Sequence, residues 1–112
     1  MFNEADINIR GKDDETPLHY ASLLGDVEIA EYLIQNEALV DAKENDRFTA
    51  LHYSAKEGHL EVVKMLVSNE ADINIRANAG ETPLEIGRRK GHHEPNRYLP
   101  YFCTGKFYDV VI

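Results

Sequence analysis

The sequence predicts an all-α solenoid of stacked helix-turn-helix pairs with β-hairpin loops and an irregular C-terminal tail. Three observations carry that expectation. Asn3 to Arg10 reads NEADINIR, Asn36 to Lys43 reads NEALVDAK and Asn69 to Arg76 reads NEADINIR again, at steps of 33 residues. A second block keeps the step: Thr16-Pro17-Leu18-His19-Tyr20-Ala21 returns as Thr49-Ala50-Leu51-His52-Tyr53-Ser54 and as Thr82-Pro83-Leu84-Glu85-Ile86-Gly87. Gly25, Gly58 and Gly91 each follow a threonine by nine residues. A fixed period of this length marks an architecture in which each unit buries its apolar face on its neighbours.

Each element follows from its residues. Thr16 before Pro17 is an N-cap ahead of the one helical position where a missing N–H costs nothing, and Thr82-Pro83 repeats it. A short helix is therefore expected from each Thr to the following Gly, where a left-handed backbone is cheap and the chain can reverse. A second helix follows each Gly. In the middle unit Leu60, Val62, Val63, Leu66 and Val67 fall at three- and four-residue spacing, with Glu61, Lys64 and Ser68 facing outward. Val27, Ala30, Leu33 and Ile34 echo this pattern one unit earlier.

The 33-residue unit with its T-P-L-H-x-A element resembles the ankyrin repeat, from position 3 to about 94. The chain, residues 1–112, is then one domain: an N-terminal hairpin over 3–15, repeat 1 over 16–48, repeat 2 over 49–81, a truncated repeat 3 over 82–100 and a non-repeat tail over 101–112. Two departures stand out. Glu4, Glu37 and Glu70 occupy the place of the glycine that ends the family's second helix, so the left-handed turn is expected on the preceding Asn. At the hairpin tips only Gly80 is retained; Asp14 and Arg47 replace its counterparts, with Arg47 expected to be the more strained.

The ends are informative because a helix pair this short is stable only when stacked. The chain opens on a hairpin with no helix pair before it, which calls for a covering partner or a longer parent protein. Pro100 should stop the last helix by Leu99. Tyr98, Tyr101, Phe102, Phe107 and Tyr108 then make an apolar tail suited either to folding over repeat 3 or to self-association.

Composition narrows the function. With 43% apolar and 29% charged residues, the chain has the make-up of an ordinary globular domain. Its single cysteine, Cys103, cannot close an internal disulfide. No leader pattern or apolar run of about 20 residues is present. A reduced compartment, the cytoplasm with the nucleus as an alternative, and no membrane partner are the expectation. The net charge of −8 arises in the first half, where residues 1–50 hold 12 acidic and 4 basic side chains. Nucleic acid is therefore disfavoured, and basic or mixed-charge proteins are the expected partners.

Few residues suggest chemistry. His19 and His52 belong to successive repeats, which stack roughly 10 Å apart, too far for both to reach one zinc at about 2 Å. The resemblance implies instead that they bond to neighbouring loops. Arg88-Arg89-Lys90 with His92 and His93 form a basic knot, either a solvated helix end or a site for an acidic segment. Cys103 near those histidines is the one candidate for a thiol- or metal-dependent activity, but it lacks an orienter and a pocket. Asp13-Asp14-Glu15 lacks the spaced ligands of a calcium loop. No cofactor is implied, and the expectation is not an enzyme. The terminal Asp109-Val110-Val111-Ile112 resembles a PDZ-domain ligand, and Asn74 resembles loop asparagines that are hydroxylated in some ankyrin proteins.

The remaining surface is the repeated rim. The resemblance implies that a protein partner is bound by the tips and by the concave face of the first helices, with self-association through the N-terminal hairpin or the tail as the alternative. Carried over position by position, the first tip offers Lys12, Asp13 and Glu15, with Leu23 and Leu24 on the adjoining helix; the second offers Asn45, Asp46 and Phe48, then Lys56 and Glu57; and the third offers Asn78, Ala79 and Glu81, followed by Arg89 and Lys90. Phe48, Tyr20 and Tyr53 are the expected anchors, since aromatic side chains dominate interface energy.

Overall fold

Two β-branched-rich helices and three Thr-capped ones alternate along the chain in the computed structural model, which describes residues 7–92. They are α1 (Pro17–Leu24), α2 (Val27–Gln35), α3 (Ala50–Glu57), α4 (Leu60–Ser68) and α5 (Pro83–Arg89). Helix α1 packs on α2 and α3 on α4 within a repeat, while α1 meets α3, α2 meets α4 and α3 meets α5 between repeats. The expectations placed on Leu99, Pro100, Cys103, His93, the aromatic tail and the C-terminal four residues lie outside the described residues.

The caps explain the boundaries. The Thr16, Thr49 and Thr82 hydroxyls accept from the backbone N–H three residues on, and the side chains of His19, His52 and Glu85 accept in return from the threonine N–H. Gly25 (φ 76°) and Gly58 (φ 77°) close α1 and α3 in the left-handed region. Helix α5 stops one residue sooner, with Lys90 as a right-handed C-cap ahead of Gly91.

The second helices end differently from the sequence expectation. The left-handed residues are Glu37 (φ 75°) and Glu70 (φ 70°), not the asparagines. Asn36 and Asn69 stay at negative φ, and their side-chain amides donate to the carbonyls of Tyr32 and Met65. The cause is a Schellman motif: Ala38 N–H donates to Leu33 O at 2.9 Å and Glu37 N–H to Ile34 O at 3.1 Å, with the same pair at Ala71 and Glu70. Buried Ala38 fixes the register, so the residue before it must turn whatever its identity.

The core runs continuously through α1 to α4, with Leu18, Leu51, Val62, Val63 and Leu66 all at most 1% exposed; Leu84 of α5 packs against it, and Ile86 is itself fully buried. No strand is formed among the described residues. The expected β-hairpins are reduced to tight turns, each closed by two backbone bonds: Gly11 with Glu15 and Asp14, Glu44 with Phe48 and Arg47, and Ala77 with Glu81 and Gly80. Asp14 (φ 70°) and Arg47 (φ 65°) are left-handed, as their place in the tip requires.

Candidate protein-binding surface

The three tips are tied into one row by the backbone. Asn45 N–H donates to Asp13 O at 3.0 Å, and Asn78 N–H donates to Asp46 O at 2.9 Å. Asn78 Nδ2 adds a bond to Asn45 O at 3.3 Å. Lys12, Asp13, Asn45, Asp46, Asn78 and Ala79 are all exposed along this row.

The histidines set the distance from one tip to the next. Thr16 N–H donates to His19 Nδ1 at 3.0 Å, which leaves the proton on Nε2 to donate to Phe48 O, 29 residues away, at 2.8 Å. His52 repeats this between Thr49 N–H and Glu81 O at 2.9 Å. Burial holds the pKa of both imidazoles below the ordinary histidine value. They are structural couplers, in the role that the resemblance implies. In the third unit Glu85 caps Thr82 in the histidine's place, and its carboxylate lies 3.7 Å from Arg76.

The expected anchors divide. Tyr20 is 48% exposed on the outer side of α1. Phe48 and Tyr53 are half-buried and engaged: Phe48 stacks on His52 at 5.3 Å, and Tyr53 lies edge-on to His19 and Phe48. The Tyr53 hydroxyl donates to Glu44 at 2.7 Å, and burial first, then that carboxylate, pushes its pKa well up. Tyr53 is therefore a half-buried anchor rather than an open one, because the second tip, through Glu44 and Phe48, folds over it.

Glu44 is the residue that the sequence reading missed. It is 8% exposed, and its carboxylate accepts from Asp46 N–H at 2.6 Å, Phe48 N–H at 3.1 Å and the Tyr53 hydroxyl. In the first tip Gly11 stands in its place, and the carboxylate of Glu15 fills the vacated space: it accepts from Asp13 N–H at 3.0 Å and would lie 2.8 Å from a Cβ on Gly11. Backbone N–H groups, Glu15's own first, hold the Glu15 carboxyl below the usual range. The signal available in the sequence was this exchange, Gly with Glu becoming Glu with Phe across one period.

The helix side of the rim is charged. Lys56 Nζ lies 5.9 Å from the centre of the Phe48 ring. Arg89 makes two bonds to Glu81, at 2.8 and 2.9 Å, and these lower the Glu81 pKa. Leu23 is half-buried, while Leu24, Glu57 and Lys90 are exposed. Among the described residues no group of three His, Cys, Asp or Glu side chains is placed to hold a metal ion, and no helix is long and apolar enough to cross a membrane.

A model of the family described as ankyrin repeats (3 copies) matches residues 1–77. This chain belongs to the ankyrin-repeat family. Ankyrin repeats serve generally as protein-protein interaction modules, typically without enzymatic activity of their own. The third Thr-capped helix lies beyond the matched residues, yet it keeps the ankyrin cap and stacks on α3. A search of curated proteins found no match.

Proposed function

We propose that this ankyrin stack is a non-catalytic scaffold that holds a protein partner along its tip row and the concave side of its first helices. The observation that supports this reading most is the bonded alignment of the three tips, which lines up Lys12, Asp13, Asn45, Asp46 and Asn78 at one repeat's spacing. A partner meeting this row sees Asp13 at the first-tip end and Lys90, beside the Arg89–Glu81 pair, at the third. Such a gradient favours a partner of mixed charge and fixes its direction, since complementary fields act mainly on orientation and association rate. Phe48 and Tyr53 serve the reading by stiffening the tip, with Tyr20 as the accessible aromatic contact.

Photo-crosslinkers placed singly at Asn45 and Asn78, and for comparison at the exposed second-helix residues Glu31 and Glu61, test the assignment in extracts of the native host. The expected result is one or more discrete protein adducts from the tips and none from the second helices. Adducts only from Glu31 and Glu61 would assign binding to the opposite face.

A further inference from the structure

Repeat 1 bears an open groove of about 430 Å³ whose lining includes Ile9, Glu15, Tyr20, Leu24, Asp26 and Ile29. The repeat itself shows how unusual this face is. Ile29 is 51% exposed, but its equivalent Val62, covered from the repeat 1 side, is 0%. That no described helix stands on its other side accounts for Ile29. It does not explain Leu24, which is 73% exposed at a position where the later repeats carry Glu57 and Lys90.

Asp26 departs from the pattern in the same place. Its equivalents His59 and His92 press their rings against the glycines of the repeat before, so that a Cβ on Gly25 or Gly58 would stand 2.6 Å from a ring nitrogen. His59 Nε2 also donates to Leu23 O at 3.1 Å. Asp26 has no such reach; its carboxylate caps its own helix through Ile29 N–H at 3.1 Å. This face therefore lacks the group with which every later repeat engages its predecessor, and it presents a carboxylate instead.

We propose that this groove is a docking site for a basic amphipathic helix of a protein partner, its apolar side chains between Leu24 and Ile29 and its Lys or Arg residues opposite Glu15 and Asp26. The charge balance supports a basic occupant. The lining sets two carboxylates, Glu15 and Asp26, against one cation, Arg10, whose charge is met by the Asp14 carboxylate 3.7 Å away. A helix fits because the equivalent face of repeat 2 is covered by α1 and α2. A second copy meeting face to face would bring like-charged rims together. The groove shares Tyr20 and Glu15 with the tip surface but does not depend on that surface being occupied.

The test uses the full chain and a labelled Leu/Lys amphipathic peptide about 18 residues long, roughly five helical turns, beside its Leu/Glu counterpart. Fluorescence anisotropy should show the Lys peptide binding at least about tenfold more tightly than the Glu peptide. Leu24→Glu should weaken it about tenfold or more although it adds negative charge, which separates docking from mere attraction. Asp26→Asn keeps the helix cap and should weaken it several-fold, while Asp46→Lys, at the tip row, should leave it within about twofold. Equal or tighter binding to Leu24→Glu, no binding at all, or sensitivity to Asp46→Lys alone would overturn the proposal. So would a dimer of the unliganded chain, seen by sedimentation, that Leu24→Glu abolishes.

Discussion

Glu37 and Glu70 hold backbone angles that glycine adopts freely and other residues adopt at a cost of roughly 1 kcal/mol or more. Glu37→Gly and Glu70→Gly should each raise the unfolding free energy by about 0.5–1 kcal/mol, measured by urea titration. Asn36→Gly, at φ −105°, should give no gain. Ser22 is the one buried side chain whose oxygen has no partner among the described residues, and repeat 2 carries Ala55 at the same place. Ser22→Ala should therefore be neutral or stabilising by about 1 kcal/mol. The histidines set a pH limit. With folded pKa values below the unfolded 6.5, the unfolded chain takes up protons first as pH falls. Stability should hold above pH 6.5 and decline below it until the folded-state values are passed. His52→Ala should remove part of that slope and cost about 2–3 kcal/mol, both readable from denaturation curves taken across pH.

Between elements, the join from one repeat to the next rests on a few contacts that recur at the period. Three recur: His19 to Phe48 O and His52 to Glu81 O, the Asn45 and Asn78 tip bonds, and the ring of His59 or His92 against the glycine one repeat earlier. The glycines can be told apart by what surrounds them. At Gly25 and Gly58 an alanine would meet both a left-handed φ and a histidine ring, whereas at Gly91 it meets the φ and, among the described residues, nothing within 4 Å. Gly58→Ala should cost clearly more than Gly91→Ala, which should stay near 1 kcal/mol. Equal losses in calorimetry would show that the ring yields. The helices and caps were legible in the sequence because their signals are local: Thr-Pro starts, glycine stops and 3.6-residue apolar spacing. The turn at Glu37 was not, because a buried alanine one residue later overrules the preference of asparagine.

At the largest scale the described residues form a linear stack in which repeat 2 alone is covered on both sides by described helices. Amide exchange should accordingly be slowest in α3 and α4 and faster in α1, α2 and α5. Leu51→Ala, at 1% exposure, should cost about 2–5 kcal/mol and loosen both neighbours with it, since each leans on that repeat. The sequence alone determined the period, the helix starts, the family and the row of tip positions, because a repeat writes the same local chemistry several times and periodicity survives without coordinates. Only the tertiary structure decided which of those positions are free. Glu44 and Tyr53 are drawn inward when the second tip closes over them, while Leu24 and Ile29 stay open beside Asp26. The reason is that burial depends on which neighbour stacks against a residue, and stacking joins groups a full repeat apart in the chain.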